Sequence, residues 1–367
     1  MEKNNSDIFI ISGEKSGDIH GSYIIENLLK SNSSLKIDCW GGPQMENAGG
    51  NILENYSNYS VMGFVEVLYK LPLLLNKLKK CKKDILRLNP KLILLIDFPG
   101  FNLKIAKFAK RNGFNVHYYI PPKVWAWNPG RISILKKYVD KIYSILPFEK
   151  KYFLKNSLNV DYVGNPIMKK IDSFSINNSE NLNNKIISLL PGSRIGELKY
   201  SLPIFKNLVE KLPNYTFNVC GVSDLPKSIY DGIKKFHNVN VIYENTYDTI
   251  CNSAFSVVMS GTASLEVALL GVPQVVVFKI SKLSYLIGKL LIKVNFISLV
   301  NLILSRNCVK ELIQNKFNTV MIVDELKKIE NNVEYRNNMI KSYSELRKII
   351  GMSDASVKVS DKLLLSI

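Results

Sequence analysis

Short apolar runs alternate with longer amphipathic segments along most of the chain. The run Leu92–Ile96 (LILLI) is apolar at every position, whereas Ile19–Lys30 carries its apolar residues at helical spacing. Strands that are apolar on both faces are typical of a parallel sheet covered by helices on two sides. The pattern therefore predicts an α/β fold. The strands predicted in the first half are Asp7–Ser12, Ile37–Trp40, Leu92–Ile96, Asn115–Ile120 and Lys141–Ile145.

The same alternation resumes after a polar interruption. Ser173–Lys185 is rich in Asn and Ser and has no apolar period, which predicts the start of a crossing between domains. The strands predicted beyond it are Ile186–Leu190, Thr216–Cys220, Val239–Tyr243, Phe255–Met259 and Gln274–Phe278, and Val323–Leu365 is predicted to be helical. We expect two doubly wound parallel-sheet (Rossmann-like) domains that face a central cleft, with ligands at the carboxyl ends of the strands.

The length and charge of the chain narrow the function classes. Its 367 residues are enough for two domains of ordinary size. Forty-nine Lys and Arg against thirty-one Asp and Glu give a formal net charge of +18, which predicts an anionic partner: a nucleic acid, a membrane surface or a phosphorylated substrate. A nucleic-acid-binding module is the weakest of these alternatives, because no helix-turn-helix, RRM, KH or zinc-finger signature accompanies the charge.

Cysteine and hydropathy patterns disfavour several other classes. The five cysteines are scattered and none forms a C-x-x-C pair, which disfavours a metal site or a disulfide framework and favours a reducing cytoplasm. The N-terminus lacks the apolar segment typical of a secretion signal. Lys289 and Lys293 interrupt the most apolar segment, Leu283–Leu304, so its uncharged runs fall short of the ~20 residues that span a bilayer. We expect a cytoplasmic protein without membrane-spanning helices.

The stretch Phe255–Phe278 carries the first candidate binding site. It reads as a strand, a small-residue turn, a helix and a second strand, and Ser260, Gly261 and Thr262 form the turn. A helix N-terminus carries roughly half a positive charge and unpaired N–H donors, so it suits a diphosphate. Glu266, about one turn into the helix, is suited to accept hydrogen bonds from sugar hydroxyls. The alternative is an ordinary strand–helix–strand unit with a Ser/Thr N-cap.

The loop PGSRIGE, after the strand Ile186–Leu190, is a second candidate anion site. Gly192 and Ser193 let the backbone approach a ligand closely, and Arg194 offers a charged fork suited to phosphate. Glu197 is expected to close the turn as a cap of the next helix. The alternative is a helix start with a solvent-exposed arginine. Neither a GxGxxG nor a GxxxxGK[ST] fingerprint is present, so those routes to dinucleotide or ATP binding are not supported.

Acidic residues follow two strands of the first half. The loop SGEKSGDIHG carries Glu14, Asp18 and His20, and Asp97 ends the LILLI strand of the same sheet. A carboxylate at a strand end is well placed to act as a general base toward a hydroxyl nucleophile. The structural alternative for Asp18 is a cap on the helix that it precedes, and His20 and His117 are more often structural than catalytic.

The segment Gly63–Leu88 combines an apolar stripe with many lysines. The apolar positions that form its predicted lipid-facing patch are Val65, Val67, Leu68, Leu71, Leu74 and Leu75, and lysines stand at 70, 77, 79, 80, 82 and 83. This mixture is typical of an element that lies among lipid headgroups. A core helix with a solvated basic face is the alternative interpretation.

Taken together, these loops resemble the lipid-A-disaccharide synthases, glycosyltransferases of Gram-negative bacteria (glycosyltransferase family 19). The matching segments are SGEKSGDIHG (12–21), GGPQMENAG (41–49), VMGFVEVL (61–68), DFPGFN (97–102), HYYIPPKVWAW (117–127), PFEKKYF (147–153), VGNP (163–166), LLPGSRIGE (189–197), SGTASLE (260–266) and SLVNLILSRNCVKELIQ (298–314). The resemblance spans nearly the whole chain. It implies a GT-B fold with an acceptor domain (1–172), a UDP-sugar domain (173–340) and C-terminal helices (341–367) that return to the first domain.

The resemblance also implies a reaction. A 2,3-diacylglucosamine unit would pass from its UDP derivative to 2,3-diacylglucosamine 1-phosphate (lipid X), giving the β-1′,6-linked disaccharide 1-phosphate and UDP with inversion. No metal and no cofactor is implied, because Arg194 and the Ser260–Thr262 turn would neutralise the departing diphosphate. Glu266 would hold the ribose. The residues implied to line the same cleft are Asn301, Arg306 and Gln314. Further implied partners are the anionic inner-membrane surface, met peripherally from the cytoplasm, and a second copy of the chain.

One departure from the family pattern bears on the catalytic base. Many members carry a second Asp in a DxPDFN loop as the favoured base, whereas this chain has Gly100 at that position. The base then has to be Asp97, Glu14 or Asp18, acting on the acceptor 6-hydroxyl, and we favour Asp97. The alternative function is another GT-B enzyme of UDP-N-acetylglucosamine, either an epimerase or a transferase for a different lipid acceptor.

Overall fold

The structure, a computed structural model, describes residues 6–59, 71–172, 174, 184–282, 285, 286, 288, 294–351 and 354–367. The chain forms two compact units. Unit 1 is Met1–Pro166 together with Met352–Ile367, and unit 2 is Ile167–Gly351. The sequence prediction put the crossings at 172/173 and 340/341 instead. The second crossing lies later than predicted because one uninterrupted helix runs on to Ile350.

Parallel strands form the sheet of unit 1. Their bounds are Ile8–Ser12 (β1), Ile37–Gly41 (β2), Asn51–Asn55 (β3), Leu92–Ile96 (β4), Asn115–Tyr119 (β5), Lys141–Ser144 (β6) and Asp161–Tyr162 (β7). They are ordered β3-β2-β1-β4-β5-β6-β7. The order changes direction between β1 and β4, where Ser12 pairs with Ile96. Ligands of such sheets bind beside the carboxyl ends of the strands at this switch point, so the loops after Ser12 and Ile96 are candidate sites for chemistry.

Helices cover both faces of this sheet. They are Lys15–Ser31 (α1), Pro43–Asn47 (α2), Leu71–Leu88 (α3), Pro99–Arg111 (α4), Arg131–Tyr138 (α5) and Pro147–Lys155 (α6). Alternate residues of β1 point to opposite faces. Phe9 and Ile11 join the core that includes α3 and α4, whereas Ile8 and Ile10 join the core that includes α1. This double burial is the reason for the uninterrupted apolar runs in the sequence.

Unit 2 repeats the architecture around a second parallel sheet. Its strands are Ile186–Leu190 (β8), Thr216–Cys220 (β9), Val239–Ile242 (β10), Phe255–Met259 (β11), Gln274–Phe278 (β12) and Lys310–Ile313 (β13). Their order is β10-β9-β8-β11-β12-β13. Its helices are Met168–Ile171 (α7), Ile195–Lys211 (α8), Asp231–Lys234 (α9), Thr246–Cys251 (α10), Thr262–Leu269 (α11), Leu299–Leu304 (α12), Thr319–Asn331 (α13) and Val333–Ile350 (α14). The predicted pair of doubly wound parallel sheets is confirmed.

The switch point of unit 2 lies between β8 and β11. These strands pair in parallel, with Leu190 opposite Val258. The two loops predicted to bind an anion, PGSRIGE after β8 and SGTASLE after β11, therefore leave the same edge of the sheet from neighbouring strands.

The last helix, Ala355–Leu364 (α15), belongs to unit 1. It packs on α1, where Ser360 Oγ donates to the Ile24 carbonyl at 3.1 Å and Asn27 Nδ2 donates to Ser356 Oγ at 3.0 Å. Val359 and Leu363 join the α1-side core. The earlier part of the predicted returning segment, 341–350, continues α14 within unit 2.

Three strands in the described part of the chain were not predicted from the sequence. β3 and β13 are edge strands that contain polar residues, and β7 is only two residues long. Edge strands are commonly short or polar, because a long apolar edge invites aggregation, and this weakens their signal. Within the described part of the chain, no helix is long and apolar enough to cross a membrane.

Candidate active site

The DFPGFN turn after β4 is strained. Asp97 and Phe98 are both left-handed, with φ of 45° and 48°, a region that costs a non-glycine residue of order 1 kcal/mol or more. Buried Asn102 donates through Nδ2 to the carbonyls of Ile96 at 3.2 Å and Asp97 at 2.8 Å. Tyr118 Oη donates to the same Asp97 carbonyl at 2.6 Å. These contacts fix the backbone of a candidate base at the switch point of unit 1.

The Asp97 carboxyl has the electrostatics of a general base. Burial raises its pKa, and the positive charge of Lys123 and the Phe98 amide oppose that rise. The side chain remains partly accessible. A carboxyl whose pKa moves upward toward the working pH is a better proton acceptor once ionised. The sequence had not indicated Lys123, because its loop lies beyond a different strand.

Glu14 reaches the same edge of the sheet. It is the N-cap residue of α1, two positions after Ser12. Gly13 lies against the Phe98 ring, since a Cβ added there would stand 2.2 Å from Phe98 Cδ1. The SGEKSG and DFPGFN loops therefore pack on each other, and the structure brings Glu14 and Asp97 to neighbouring strand ends.

Asp18 has a structural role. It is buried, and its carboxylate accepts hydrogen bonds from the backbone N–H groups of Gly42 at 2.8 Å, Gln44 at 3.1 Å and Met45 at 3.1 Å. It therefore caps α2, not the helix that it was predicted to precede, because Asp18 itself lies within α1. Both of its oxygens are committed to this cap.

In unit 2, the PGSRIGE loop closes on its own glutamate. Glu197 Oε2 accepts from the N–H groups of Ser193 at 2.9 Å and Arg194 at 3.3 Å, which confirms the predicted cap. Gly192 is left-handed (φ 108°), and a Cβ there would lie 2.4 Å from Glu197 Oε2. The backbone N–H groups of Ser193 and Arg194 are therefore hydrogen-bonded within the loop and do not face an anion. The Arg194 side chain also approaches this glutamate, with Nη1 at 3.5 Å from Glu197 Oε1, but it is 67% exposed and can still reach a phosphate.

In the SGTASLE loop, Ser260 is bonded within the fold and Thr262 is exposed. Ser260 Oγ donates to the Ile297 carbonyl at 2.9 Å, so it supports the turn, contrary to the expectation that it faces a diphosphate. Gly261 and Thr262 are exposed at the N-terminus of α11. Burial raises the pKa of Glu266, and Oε1 of this residue accepts a hydrogen bond from Tyr247 Oη at 2.8 Å.

Asn301 supports the fold. It is buried, and its Nδ2 donates to the Val309 carbonyl at 2.9 Å and to Glu311 Oε1 at 2.8 Å. Its Oδ1 accepts from the N–H groups of Cys308 at 2.7 Å and Val309 at 3.0 Å. The side chain joins α12 to β13 and is turned into the fold, whereas the resemblance implied that it lines the cleft.

Arg306 and Gln314 flank β13. Both Arg306 terminal nitrogens bond to Glu345 of α14, with Nη1 at 3.1 Å from Oε1. Gln314 is left-handed (φ 55°), and its Oε1 accepts from the Ile280 N–H at 3.4 Å. Among the described residues, Gln314 Nε2 is buried without a hydrogen-bond partner, so it is the better ligand candidate of the two.

The predicted lipid-facing patch is only partly described. Val65, Val67 and Leu68 lie outside the described residues. At the start of α3, the exposed side chains are Leu71, Leu73 and Leu75, whereas Leu74 packs against the core. Over the described part of the chain, no group of His, Cys, Asp and Glu could hold a metal ion.

Comparisons with known proteins assign the chain to a family. The model of the family described as lipid-A-disaccharide synthetase matches residues 8–364. The lipid-A-disaccharide synthase of Syntrophus aciditrophicus is 35% identical, covering 97% of both chains. Lipid-A-disaccharide synthase 1 of Legionella pneumophila is 32% identical, covering 98% of this chain and 97% of the relative.

Solved structures resemble the fold at low identity. UDP-GlcNAc 2-epimerase from Neisseria meningitidis, bound to UDP-GlcNAc, matches with a TM-score of 0.69 at 15% identity, covering 98% of this chain and 100% of that one. The glycotransferase of kitacinnamycin matches with a TM-score of 0.65 at 10% identity, covering 99% of each chain. These likenesses confirm the GT-B fold of two Rossmann-like domains. By its sequence over nearly the full length, the chain belongs to the lipid-A-disaccharide synthase family, hexosyltransferases of lipid A biosynthesis.

Proposed function

We propose that the chain is an inverting glycosyltransferase that joins UDP-2,3-diacylglucosamine to 2,3-diacylglucosamine 1-phosphate. The observation that carries this proposal is the Asp97 turn. A strained backbone at a switch point, fixed by Asn102 and Tyr118, presents a carboxyl whose pKa burial raises. Strain that is held in place by several contacts is a feature of functional sites.

In the proposed step, the Asp97 carboxylate takes the proton of the acceptor 6-hydroxyl. The hydroxyl oxygen forms a bond to the donor anomeric carbon while the bond from that carbon to the diphosphate oxygen breaks. UDP departs with the electron pair, and the single displacement inverts the anomeric centre. Asp97 ends protonated. Glu14, at the neighbouring strand end, is the second candidate for the base, whereas the three backbone bonds to Asp18 remove it from consideration.

Unit 2 supplies the proposed UDP site. The exposed Arg194 guanidinium and the N-terminus of α11 at Gly261 and Thr262 would stabilise the negative charge of the departing diphosphate. Glu266 would accept hydrogen bonds from the ribose, with Tyr247 holding its carboxylate in position. Gln314, whose amide nitrogen has no hydrogen-bond partner among the described residues, would contact the nucleotide from the end of β13.

The surface that contacts the membrane and the acyl chains is proposed to lie at α3. Leu71 and Leu75 are exposed near lysines of the same helix, a combination that suits peripheral contact with an anionic membrane. Acyl chains on both substrates would then be available at the surface where the enzyme binds. The net charge of +18 favours the same location.

The test is UDP release by purified protein given both acylated sugars. We expect release that requires both substrates, and Asp97→Asn should lower turnover by ~10²–10⁴ while UDP affinity stays near the wild-type value. Asp324→Asn, at an exposed position of α13, is the matched control and should retain activity. Near-normal turnover in Asp97→Asn would transfer the role to Glu14.

A second assay separates the alternative function. Unacylated UDP-N-acetylglucosamine should be neither epimerised nor used as a donor at a rate near that of the acylated substrate. Epimerisation of that sugar without UDP release from the acylated pair would contradict the proposal and favour the epimerase alternative.

A further inference from the structure

The loop between β5 and α5 has a strained backbone at both of its ends. Ile120 is left-handed with φ of 59°, and Asn128 with φ of 52°. A β-branched residue in this region is a genuine outlier, and such strain persists only where surrounding contacts over-determine it. The loop carries Lys123, whose charge acts on Asp97.

Glu149, in the first turn of α6, supplies the central contact. Its side chain is buried, and Oε1 accepts a hydrogen bond from Trp125 Nε1 at 2.9 Å. Phe148 meets the Trp125 ring edge-on at 4.9 Å between centroids. Tyr152 Oη donates to the Val124 carbonyl at 3.3 Å. The loop is therefore anchored on α6 by a partly buried hydrogen bond flanked by aromatic contacts.

The anchored loop begins directly beside the candidate base, because the Asp97 N–H donates to the Tyr119 carbonyl at 3.0 Å at the end of β5. Burial raises the pKa of Glu149 to about 7, against the opposing effects of the Trp125 bond, neighbouring backbone groups and the Lys123 charge. The same lysine opposes the burial-driven rise in the pKa of Asp97. The other titratable groups that respond to these acids are Tyr162 of β7, near Glu149, and Tyr118 of β5, near Asp97.

We propose that Glu149 is a positioning residue for glycosyl transfer: by holding Trp125 it fixes the loop that carries Lys123 beside the Asp97 turn. The inference rests on the proposed role of Asp97. Glu149 itself does not contact the reacting atoms, and its effect passes through Trp125 and Lys123. The DFPGFN segment then supplies the base, Asp97, and the PPKVWAW segment supplies the neighbouring positive charge, Lys123.

The pH profile of kcat/KM for UDP release tests the inference, because its acid limb reports ionisation of the base in the free enzyme. Lys123→Met should move the limb upward by about one pH unit. Trp125→Phe and Glu149→Leu should move it in the same direction, whereas Glu149→Gln, which still accepts the indole N–H, should restore the wild-type limb. Lys150→Met, at an exposed position of α6, is the control. An unmoved limb in Lys123→Met, or equal shifts in the two Glu149 variants, overturns the inference.

Tryptophan fluorescence tests the anchor without substrates. Ionisation of Glu149 beside the Trp125 indole should give a titration near pH 7 that persists in Asp97→Asn and disappears in Trp125→Phe and Glu149→Gln. A titration that survives in Glu149→Gln overturns the anchor. Absence of UDP release from the wild-type protein would contradict the proposed function. The fluorescence titration needs no substrate, so it tests the Glu149–Trp125 anchor whether or not UDP is released.

Discussion

Asn102 determines whether the Asp97 turn keeps its shape. Its amide donates to two backbone carbonyls from a fully buried position. Asn102→Ala removes a donor from both carbonyls, although the Asp97 carbonyl keeps its bond from Tyr118 Oη, so we expect the free energy of unfolding to fall by about 1–3 kcal/mol. Turnover should fall as well, because the turn can relax and move the base. Urea denaturation and the UDP-release rate measure the two effects.

The control for this variant lies at the other end of the same helix. Exposed Asn112 donates to the Phe108 carbonyl at 2.8 Å, a bond of similar length in solvent. Asn112→Ala should keep turnover and change stability only slightly. If Asn102→Ala retained the wild-type turnover, the position of the Asp97 base would not depend on the Asn102 amide.

Gly100 tests which carboxylate acts as the base. No atom of the described residues lies within 4 Å of a Cβ added at this position, and the residue lies in the first turn of α4, after Pro99. Gly100→Asp should stabilise the protein by about 0.5–1 kcal/mol through helix propensity and the helix dipole. We expect no large gain in turnover, because Asp97 already serves as base.

The decisive variant combines this change with loss of Asp97. Asp97→Asn with Gly100→Asp should remain as slow as Asp97→Asn alone in the UDP-release assay. Recovery of turnover would mean that the family's second acidic position can carry the chemistry here. Gly100→Ala is the matched control, since it changes helix propensity without adding charge.

The sequence identified the candidate residues, but it did not predict the role of each one. Asp97 and Arg194 were identified because each follows an apolar strand in a turn of unusual composition. The buried bonding of Asn301 could not be predicted, because the same motif letters fit a ligand contact or a support. Lys123 was missed for a related reason: it acts on Asp97 across two loops that are distant in sequence.

At the scale of elements, Glu54 attaches the basic helix α3 to the edge strand β3. The Glu54 side chain is only 4% exposed and accepts from Lys77 Nζ at 2.8 Å and also from Lys80. Burial raises the pKa of Glu54, but these bonds and one from Asn58 outweigh it and lower the pKa to about 2. A depressed folded-state pKa stabilises the protein above the unfolded value, near 4.5, and the contribution is lost as the pH falls toward 2.

We therefore expect Glu54→Gln to destabilise unit 1 at pH 7 and to differ less from the wild-type protein as the pH approaches 2. Urea midpoints measured between pH 7 and 2.5 test this sign. Glu46→Gln, at an exposed position of α2, should show no such convergence. A stability difference that is constant with pH would exclude the Glu54 carboxylate as the attachment of α3.

The strands that are buried on both faces of a sheet were predicted correctly from the sequence. β1, β4 and β11 are buried at every position, so their apolar runs were unambiguous. α4 begins at Pro99, because the fixed φ of proline suits the first helical position. The polar edge strand β3 gave no signal, since its neighbours along the sheet and not its own composition hold it in place.

For the whole molecule, each unit has its own sheet and its own core. α15 completes unit 1 by covering α1, where Val359 and Leu363 share a core with Ile24 and Leu28. The chain thus returns to unit 1 after unit 2 is complete. Two cores of this kind are expected to unfold in separable transitions, because domains with independent cores often do.

This separation allows UDP binding to be assigned to a unit by calorimetry. UDP at one hundred times its Kd stabilises the unit that binds it by about 2.7 kcal/mol, which raises the melting temperature of a domain of 150–250 residues by roughly 5–10 °C. We expect the shift in the transition of unit 2 alone. Deletion of 355–367 should lower the transition of unit 1, by uncovering Ile24 and Leu28, and leave the UDP shift unchanged. A UDP shift in the transition that this deletion lowers would place the nucleotide on unit 1 and contradict the assignment of Arg194 and the α11 N-terminus.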